Sequence, residues 1–569
     1  MFENEIQPRP ESANLKNYEE ACKSFSWDQA DKDFSWHRTG KVNIAHEAID
    51  RHAEDPAKAG LNCIIYSHGS HSTRITYEQM RLLSNRFGNV LRSLGVGKGD
   101  RVFIFLPSVP ELYIAMVGCA KIGAVIVPFY SNYREGAVRE RMLDAKGKAL
   151  VTTTRHLRRV PVDEIPDLEH IIIVDKGDRD SEDEYVLWET EMARASDELA
   201  VEWVDREFPL FMIYTSGEHG RSVGLLHPHD AMRGYLMTAR WVLDLQDGDV
   251  LWTQGQPGWF MNVVYSAFAP WLCGVESFVT GMIKSAEELY RNIEEHGITV
   301  LYTIPTLYRM IIKAGDDAPK QFNVKTLRHL LSVLEPLFPD VIYAVMRITG
   351  LPVYDTWWSA ETGMITIANL LCMPLKPGYL GKGVPGVEVA VLDAEGNEAP
   401  PFTMGEIAIK TGWPCMARSA WENDRHYRRY IQHEPWFMCG DTAFVDFDHY
   451  MFYQGRADDV IITSAGKTGL AEIENILQRH PAIAEAGIIR VPGKEGIKKT
   501  KAYIRLKPSY KPTDLLKKKL MAFVKKNLAY DTAPREIEFC ETLPKDKNGQ
   551  LLRRVLKAWE LGLPVGDIS

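Results

Sequence analysis

A short run of small polar residues, Ile213–Gly224, is the first segment of this chain whose composition suggests chemistry. It reads IYTSGEHGRSVG. An apolar strand that leads into a Thr/Ser/Gly loop can direct backbone N–H groups at an anion, because glycine has no Cβ to obstruct the approach. Alone, this pattern is no more specific than any glycine-rich turn, so its meaning depends on the segments that accompany it.

Three further segments follow it along the chain. Tyr354–Gly363 reads YDTWWSAETG, Gly440–Asp441 ends the run PWFMCGD, and Gly455–Glu474 reads GRADDVIITSAGKTGLAEIE. Taken one at a time, each acid or aromatic in these segments is explained as readily by surface charge or core packing. Their order and separation carry the information.

In this order and at these separations, the four segments resemble the superfamily of AMP-forming acyl-CoA synthetases, luciferases and peptide-synthetase adenylation domains. The double tryptophan of DTWW, Asp355–Trp358, is similar to acetyl-CoA synthetases of the shorter bacterial form. The resemblance extends from NLKNYEE, which begins at Asn14, to VLKAWELGLP, which ends at Pro564.

The resemblance implies two half-reactions. A short carboxylate first attacks the α-phosphate of ATP, which gives acyl-AMP and pyrophosphate, and the CoA thiol attacks the acyl-adenylate after the small C-terminal domain has rotated. ATP or AMP, CoA and Mg²⁺ are therefore the implied cofactors. Phosphoryl transfer depends on positioning and charge neutralisation, so hydrogen-bond donors and Mg²⁺ must surround the phosphates.

The resemblance also assigns roles to individual positions. Asp441 would accept hydrogen bonds from the ribose hydroxyls, and Trp358 would shorten the acyl pocket. The assigned residues are, for nucleotide binding, Thr215, Ser216, Gly217, Gly220, Glu335, Asp355, Thr356, Asp441 and Arg456; for Mg²⁺, Glu361; for the acyl pocket, Trp259, Phe260, Met261 and Trp358; for the CoA tunnel, Ala465, Gly466 and Lys467; for the hinge, Asp458; and for the catalytic position near the C-terminus, Gln550.

The phosphate loop, residues 215–224, departs from the family pattern TSGSTGxPKG. Glu218 and His219 replace two hydroxyl donors, and Val223 replaces the lysine. A carboxylate in an anion-binding loop opposes a triphosphate, because a like charge about 4 Å away costs about 4 kcal/mol at an effective dielectric near 20, before screening. Arg221 is the nearby residue that could offset this charge.

The C-terminal signature departs at its catalytic position. The family reads PKxxSGK, whereas this chain reads PKDKNGQ and ends the motif at Gln550. Glutamine keeps a hydrogen-bond donor but lacks the charge that neutralises the reacting phosphate. Loss of such a charge lowers the adenylation rate by about two decades or more, which raises the activation barrier by on the order of 3–4 kcal/mol. The thioester step, which uses the rotated domain, does not require this lysine.

Other substitutions concentrate in segments that line the ligand sites in the family. Leu334 replaces the glycine beside the adenine, Ala360 replaces a threonine near the phosphates, and Ala465 and Lys467 replace a glycine and an arginine that face the CoA tunnel. Phe260–Asn262 replaces a small residue, a threonine and a glycine, which adds bulk to the acyl pocket.

Two functions are compatible with these residues. The first is an acyl-CoA synthetase with weak or redirected activity on a short carboxylate. The second is a catalytically inactive protein that keeps the fold and binds nucleotide or CoA in a regulatory role. Between them lies a protein that converts only preformed acyl-adenylate to the thioester. The sequence leaves these alternatives open.

Composition and charge limit the class of partner. The chain has 569 residues, of which 45% are hydrophobic and 25% charged, as in a soluble globular protein. The net charge of −9 disfavours nucleic acid or an anionic membrane as a partner of the whole molecule. From residue 459 onward, however, 21 lysines and arginines face 13 acids, which suits either a phosphate-rich ligand or a mildly basic surface.

The eight cysteines form no CxxC pair and have no repeated spacing, which is typical of free thiols in a reducing compartment. The N-terminus has no apolar signal region. The apolar run Leu112–Tyr130 contains Lys121 and two glycines, so it predicts a buried helix followed by a buried strand and not a membrane span. We expect a cytoplasmic protein.

Alternating helical and strand-like patterns predict an α/β protein with parallel sheets covered by helices. Helices are predicted at Tyr77–Leu94, at Glu111–Lys121 and after Thr513, and the strands at Arg101–Leu106, Ala124–Pro128, Ala149–Thr153, Ala486–Val491 and Lys501–Leu506. We expect a large domain over residues 1–457 with βαβ sheets and a small barrel-like piece, a hinge at Asp458, and a mobile α+β domain over residues 459–569.

Overall fold

The computed structural model describes most of the chain, in two compact units. The first unit comprises residues 1–388 and 410–429, and the second comprises residues 389–409 and 430–569. The described residues are 5–35, 40–69, 71–175, 185–216, 222–423, 427–428, 430–431, 433–456, 460–463, 466–492, 498–527, 533–545 and 551–562. The predicted hinge residue, Asp458, lies outside them, and the boundary at this position stays a prediction.

An eight-stranded sheet in the first unit carries the strands that flank the phosphate loop. Its strands, in spatial order, are β19 (Ser419–Ala420), β9 (Ser222–Pro228), β8 (Pro209–Ser216), β4 (Val125–Pro128), β3 (Arg101–Phe105), β5 (Ala149–Thr152), β6 (His170–Ile173) and β7 (Val186–Leu187). The pairs from β8 to β7 are parallel, whereas β9 is antiparallel to both β8 and β19.

A nine-stranded sheet forms the other half of the first unit. Its strands, in spatial order, are β16 (Lys382–Gly383), β15 (Ile367–Ala368), β14 (Val353–Trp357), β13 (His329–Ser332), β12 (Val300–Thr303), β10 (Val250–Thr253), β11 (Glu276–Thr280), β1 (Asn62–His68) and β2 (His71–Thr76). The run from β14 to β1 is parallel. In such sheets, ligands bind beyond the carboxyl ends of the strands.

The second unit contains three smaller sheets. The strands are β17 (Val389–Leu392), β18 (Gly405–Lys410), β20 (Trp436–Val445) and β21 (Met451–Arg456); β22 (Val460–Thr463) and β23 (Gly466–Gly469); and β24 (Ile483–Pro492), β25 (Lys498–Leu506) and β26 (Glu536–Phe539). The four-stranded sheet pairs β17 with β18 and β20 with β21 as antiparallel strands, and the predicted barrel-like piece of the large domain stays a prediction. The three-stranded sheet packs with helices as an α+β fold.

Helices cover the sheets. The α-helices are α1 (Tyr18–Ser24), α2 (Trp27–Ala30), α3 (Arg51–Ala53), α4 (Tyr77–Ser93), α5 (Pro110–Lys121), α6 (Glu135–Ala145), α7 (Thr154–Leu157), α8 (Trp188–Arg194), α9 (Met232–Trp241), α10 (Phe260–Val263), α11 (Ala269–Cys273), α12 (Ala286–His296), α13 (Pro305–Ala314), α14 (Pro339–Thr349), α15 (Leu470–Gln478), α16 (Asp514–Asn527) and α17 (Arg553–Leu561). Single turns of 3₁₀ helix occur at Asp31–Asp33, Val162–Glu164, His229–Ala231 and Ala318–Gln321, and π-helical turns at His46–Asp50 and Val264–Phe268.

The predicted elements are confirmed to within a few residues, and their ends have local causes. Helix α4 begins with a capping box, in which Thr76 and Gln79 exchange side-chain and backbone hydrogen bonds. Thr513 caps α16 as predicted, since its hydroxyl accepts a hydrogen bond from the backbone N–H of Leu516 at 3.1 Å.

The run from Leu112 to Tyr130 forms the buried helix α5 and the buried strand β4, as predicted. Among the described residues, no helix is both long enough and apolar enough to cross a membrane.

Gly258 positions the chain that enters the acyl-pocket segment. It has φ +82°, and a Cβ at this residue would lie 2.2 Å from the carbonyl oxygen of Phe129. Phe129 follows β4 directly, so Gly258 brings the segment that contains Trp259 and Phe260 against the eight-stranded sheet. Only a residue without a side chain fits this contact.

We predict that Gly258→Ala lowers the free energy of unfolding by about 3 kcal/mol or more, because left-handed strain adds to a backbone overlap. Gly248→Ala is the matched control: it has φ +85° but no atom within 4 Å of the added Cβ. Its cost should stay within about 1–2 kcal/mol of left-handed strain. Urea denaturation measures both variants, and equal losses would contradict this account of Gly258.

Candidate functional site

The hairpin β8–β9 holds the ends of the phosphate loop. Thr215 pairs with Val223, and Ser216 pairs with Ser222 as the last described pair of the hairpin. Gly217, Glu218, His219, Gly220 and Arg221 lie outside the described residues. The backbone N–H of Ser222 donates to the carboxylate of Glu140 on α6 at 2.9 Å. An acidic side chain therefore occupies a backbone donor within the segment 215–224.

Val223, which replaces the family lysine, is 6% exposed and belongs to an apolar cluster. We call this cluster the apolar corner; it consists of Val223, Leu225, Ala360, Ala417, Ala420 and Tyr427. Pairing of β19 with β9 brings Ala420 opposite Leu225 and so builds the corner. Ala360, the predicted replacement of a threonine, packs in the same cluster, so the two predicted substitutions lie in one apolar environment.

Glu361, the predicted Mg²⁺ ligand, directly follows Ala360 of the apolar corner and is half-buried. Within the described part of the chain, no group of three or more His, Cys, Asp or Glu residues could hold a metal ion. A single carboxylate fits the usual binding of Mg²⁺, in which the phosphates of the substrate and water supply most ligands.

The next predicted nucleotide residues lie at the carboxyl edge of the nine-stranded sheet. Asp355 is 4% exposed, and burial raises the pKa of its carboxyl well above the usual value, although the backbone N–H groups of Thr356 and Leu337 act in the opposite direction. The N–H of Thr356 lies 3.1 Å from its Oδ1. Glu335 accepts hydrogen bonds from Thr306 at 2.7 Å and Arg309 at 2.9 Å.

Leu334 occupies an unusual backbone conformation at the same edge, directly after Val333. Its φ is +74°, in the left-handed region that favours glycine, and 48% of the residue is exposed. The backbone thus keeps a conformation suited to the glycine of the family while it carries a leucine. An exposed, strained apolar residue at this edge places bulk where the resemblance puts the adenine.

Phe260, one of the predicted acyl-pocket residues, packs against another, Trp358. The ring of Phe260 lies 5.7 Å from the indole of Trp358 and 4.6 Å from the imidazole of His227, with all distances between centroids. Burial lowers the pKa of His227 to about 3, so the imidazole is neutral, and its Nδ1 lies 3.2 Å from the carbonyl oxygen of Cys415. Phe260 therefore packs between Trp358 and His227.

Met261 is 3% exposed, and its methyl group packs near Gly255, while Trp259 is half-buried. Phe260 thus contacts Trp358, whereas the methyl group of Met261 lies near the backbone of Gly255, and the effect of both on an acyl pocket stays a prediction.

The second unit contributes a separate group of predicted residues. Asp441 on β20 faces Arg456 on β21, and the carboxylate Oδ1 lies 3.0 Å from Nη1 of the arginine. Gly440 donates its N–H to Glu406 at 2.8 Å. Asp441 is 7% exposed, whereas the Arg456 side chain is 56% exposed. The carboxylate is thus held in place, and the guanidinium extends into solvent where it could meet an anion.

The remaining predicted residues lie at or beyond the limits of the description. Gly466 and Lys467 are in β23, where they pair with Thr463 and Ile462, and Ala465 lies outside the described residues. Gln550 also lies outside them; Lys545 and Leu551, which flank its segment, form an antiparallel bridge.

Sequence reasoning missed the residues that support the site. Tyr302 at the end of β12, His227 on β9 and Glu140 on α6 contact predicted residues but belong to none of the four motifs. The one general signal concerns Tyr302, which lies near the carboxyl end of the parallel strand β12, where ligand sites form.

Comparison with known proteins finds relatives that are similar over almost the full length of this chain. A family model of AMP-binding enzymes matches residues 47–419, and one of the AMP-binding enzyme C-terminal domain matches residues 472–550. An acetyl-coenzyme A synthetase of Bacillus subtilis is 45% identical over 98% of this chain and 97% of its own length. One of Methanothrix soehngenii is 35% identical over 93% of this chain and 84% of its own.

Two solved structures share the fold. An acyl-CoA synthetase of Brucella canis superposes with a TM-score of 0.75 at 28% identity, over 96% of this chain and 99% of that one. An anthranilate CoA ligase in complex with anthranoyl-AMP superposes with a TM-score of 0.80 at 25% identity, over 92% and 98%.

We predict that Leu334→Gly leaves stability unchanged or raises it by up to about 1 kcal/mol. Relief of about 1–2 kcal/mol of left-handed strain exceeds the extra unfolded-state entropy of glycine, about 0.5–1 kcal/mol. Leu61→Gly is the control, since Leu61 is 44% exposed and does not have positive φ. Thermal unfolding should show a loss for Leu61→Gly only; a comparable loss at residue 334 would contradict the strain argument.

Proposed function

We propose, from the fact that this chain belongs to the family of AMP-binding enzymes and is acetyl-CoA-synthetase-like, that it joins a short carboxylate to CoA through an acyl-adenylate. We further propose that adenylation is its slow half-reaction. The identity of 45% over 98% of the chain supports the reaction. The observation that supports slow adenylation is the burial of Val223 in the apolar corner.

The physical argument concerns the β- and γ-phosphates. In the family, a lysine at the position of Val223 neutralises part of the phosphate charge, and bound Mg²⁺ neutralises the remainder. Here Val223 and Leu225 on β9 pack against the alanines of the apolar corner. The backbone N–H of Ser222 already donates a hydrogen bond to Glu140. Charge that is desolvated beside apolar side chains without a cation is strongly unfavourable. The triphosphate therefore fits this chain poorly.

The residues predicted to contact the ribose and one phosphate, Asp441 and Arg456, are retained. Asp441 can accept hydrogen bonds from ribose hydroxyls, and the exposed guanidinium of Arg456 can donate to a phosphate. Lys545 of the C-terminal signature lies 2.7 Å from Glu485, so this lysine is already paired. With Gln550 in place of the family lysine, the reacting phosphate lacks a cation from that position as well.

A second candidate is a protein that binds nucleotide or CoA in a regulatory role without turnover. Leu334 favours it, because an exposed leucine in a glycine conformation obstructs the adenine position while the fold around it is intact. The two candidates share the binding residues and differ only in whether pyrophosphate is released.

AMP or adenosine should bind at least as tightly as ATP with Mg²⁺, because Val223 and Glu218 weaken only the β- and γ-phosphate positions. Isothermal titration calorimetry, run beside the Bacillus subtilis relative, measures both ligands. Asp441→Asn should weaken AMP and ATP together, which separates the ribose contact from the phosphate contacts. An advantage of ATP with Mg²⁺ of about tenfold or more would refute this prediction.

Gln550→Lys alone should leave ATP–pyrophosphate exchange unrestored, because the phosphate loop is independently altered and groups that act as one unit are non-additive. Glu218→Ser, His219→Thr, Ser222→Pro and Val223→Lys together with Gln550→Lys should restore measurable exchange. Ser222→Pro would also remove the N–H that Glu140 occupies.

The loop variants need a stability control, because a lysine at residue 223 enters the apolar corner. Val223→Met has similar reach without charge, so a lower melting temperature for the lysine than for the methionine variant reports the cost of burying the charge. Exchange by Gln550→Lys equal to that of the combined variant would show that the phosphate loop is competent as it stands.

A further inference from the structure

Trp358 is held by a chain of hydrogen bonds across the carboxyl edge of the nine-stranded sheet. Its indole Nε1 lies 3.0 Å from the hydroxyl oxygen of Tyr302, which lies 2.8 Å from Oγ1 of Thr356. Oγ1 of Thr356 lies 2.8 Å from the carbonyl oxygen of Ser332. The chain thus connects the adjacent strands β12, β13 and β14 to the tryptophan that follows them.

The direction of every bond in this chain is determined. An indole N–H can only donate and a carbonyl can only accept. Thr356 must therefore donate its hydroxyl proton to Ser332, Tyr302 must donate to Thr356, and Trp358 must donate to Tyr302. In this series of hydrogen bonds, the hydroxyl of Tyr302 links the indole to the sheet. Its removal would therefore interrupt the series between Trp358 and Thr356.

Aromatic packing restrains the same ring from another side. Tyr265 meets Trp358 edge-on at 5.3 Å and meets Tyr302 edge-on at 5.7 Å. Tyr265 is itself fixed, since its hydroxyl accepts a hydrogen bond from the N–H of Ile365 at 3.0 Å. The indole therefore lies between the rings of Tyr265 and Phe260, and its Nε1 donates a hydrogen bond to Tyr302.

We infer that Tyr302 is a positioning residue that determines the depth of the acyl pocket by holding the indole of Trp358, and that it thereby excludes longer acyl chains. This inference rests on the proposed function for the identity of the ligand. It differs from the assignment of Trp358 itself, because Tyr302 is fully buried behind the indole and acts only through it. A ring held by both a hydrogen bond and edge-on contacts yields less to a longer chain than a ring held by packing alone.

The test compares two buried tyrosine hydroxyls. Tyr302→Phe removes the bond to Trp358, and Tyr308→Phe is the matched control. Tyr308 is fully buried on α13, and its hydroxyl donates to the carbonyl of Leu331 at 2.9 Å on the same sheet. Both variants lose one buried hydroxyl, so loosening of the core alone would affect them alike.

The first readout does not depend on ligand or activity. Protein labelled with 5-fluorotryptophan gives ¹⁹F resonances for its 14 tryptophans, and loss of one resonance in Trp358→Phe identifies that of residue 358. We expect this resonance to shift and broaden in Tyr302→Phe and to stay unchanged in Tyr308→Phe. An unchanged resonance in Tyr302→Phe, or the same change in both variants, would overturn the positioning role.

The second readout is acyl-chain selectivity. N-acylsulfamoyl adenosines with acetyl, butanoyl and hexanoyl groups are stable mimics of the acyl-adenylate, and calorimetry gives their dissociation constants. Tyr302→Phe should shift the ratio of hexanoyl to acetyl affinity by about tenfold toward hexanoyl, the scale of a one-methylene mismatch. Tyr308→Phe should leave the ratio unchanged, and the effect of Tyr302→Phe should vanish in a Trp358→Phe background.

The outcomes separate the two proposals. If no acyl chain binds to any variant while the Trp358 resonance responds to Tyr302→Phe, the proposed function fails and the positioning role stands. If the mimics bind and the resonance responds but the selectivity ratio does not move, Tyr302 does not determine pocket depth and the inference is overturned.

Discussion

Antiparallel pairing of β19 with β9 is the interaction that makes the surroundings of Val223 apolar, on the strand that leaves the predicted phosphate loop. It brings Ala420 opposite Leu225 and, through the adjoining Ala417, encloses Val223 and Ala360 in the apolar corner. A triphosphate needs cations, backbone donors and Mg²⁺ in place of the water it loses. An apolar corner on the strand that leaves the loop supplies none of these, and this is the physical basis of the proposal that adenylation is slow.

The altered residues differ in the structural support that surrounds them. Val223 and Phe260 are packed on several sides and fit their surroundings, the first among alanines and the second between Trp358 and His227. Leu334 is the opposite case, since it is exposed and adopts a backbone conformation that costs a leucine free energy. Packing therefore stabilises Val223 and Phe260, whereas Leu334 retains local strain.

Local patterns in the sequence account for most of the fold. Alternating apolar runs predict the parallel strands, and the cap residue Thr513 predicts the start of α16, because helix and strand ends depend on a few adjacent side chains. The grouping of Val389–Ile409 with the C-terminal part of the chain was not predicted, since it depends on pairing between distant strands.

The candidate site was predictable by residue identity but not by environment. The replacement of a lysine by Val223 is visible in the sequence, yet its partners Ala360 and Ala417 lie more than a hundred residues away. The chain of hydrogen bonds from Trp358 through Tyr302 joins three strands whose register no local pattern specifies. The contact between Asp441 and Arg456 likewise depends on the register in which β20 pairs with β21.

The most direct test of slow adenylation is the ratio of two rates in the unmodified protein: thioester formation from CoA with presynthesised short-chain acyl-adenylate, and thioester formation from CoA with ATP, Mg²⁺ and the same carboxylate. If the altered phosphate loop and Gln550 impair only adenylation, the rate from acyl-adenylate should exceed the rate from ATP by about 100-fold or more. Equal rates from the two starting points would contradict the account, because adenylation would then not limit the reaction.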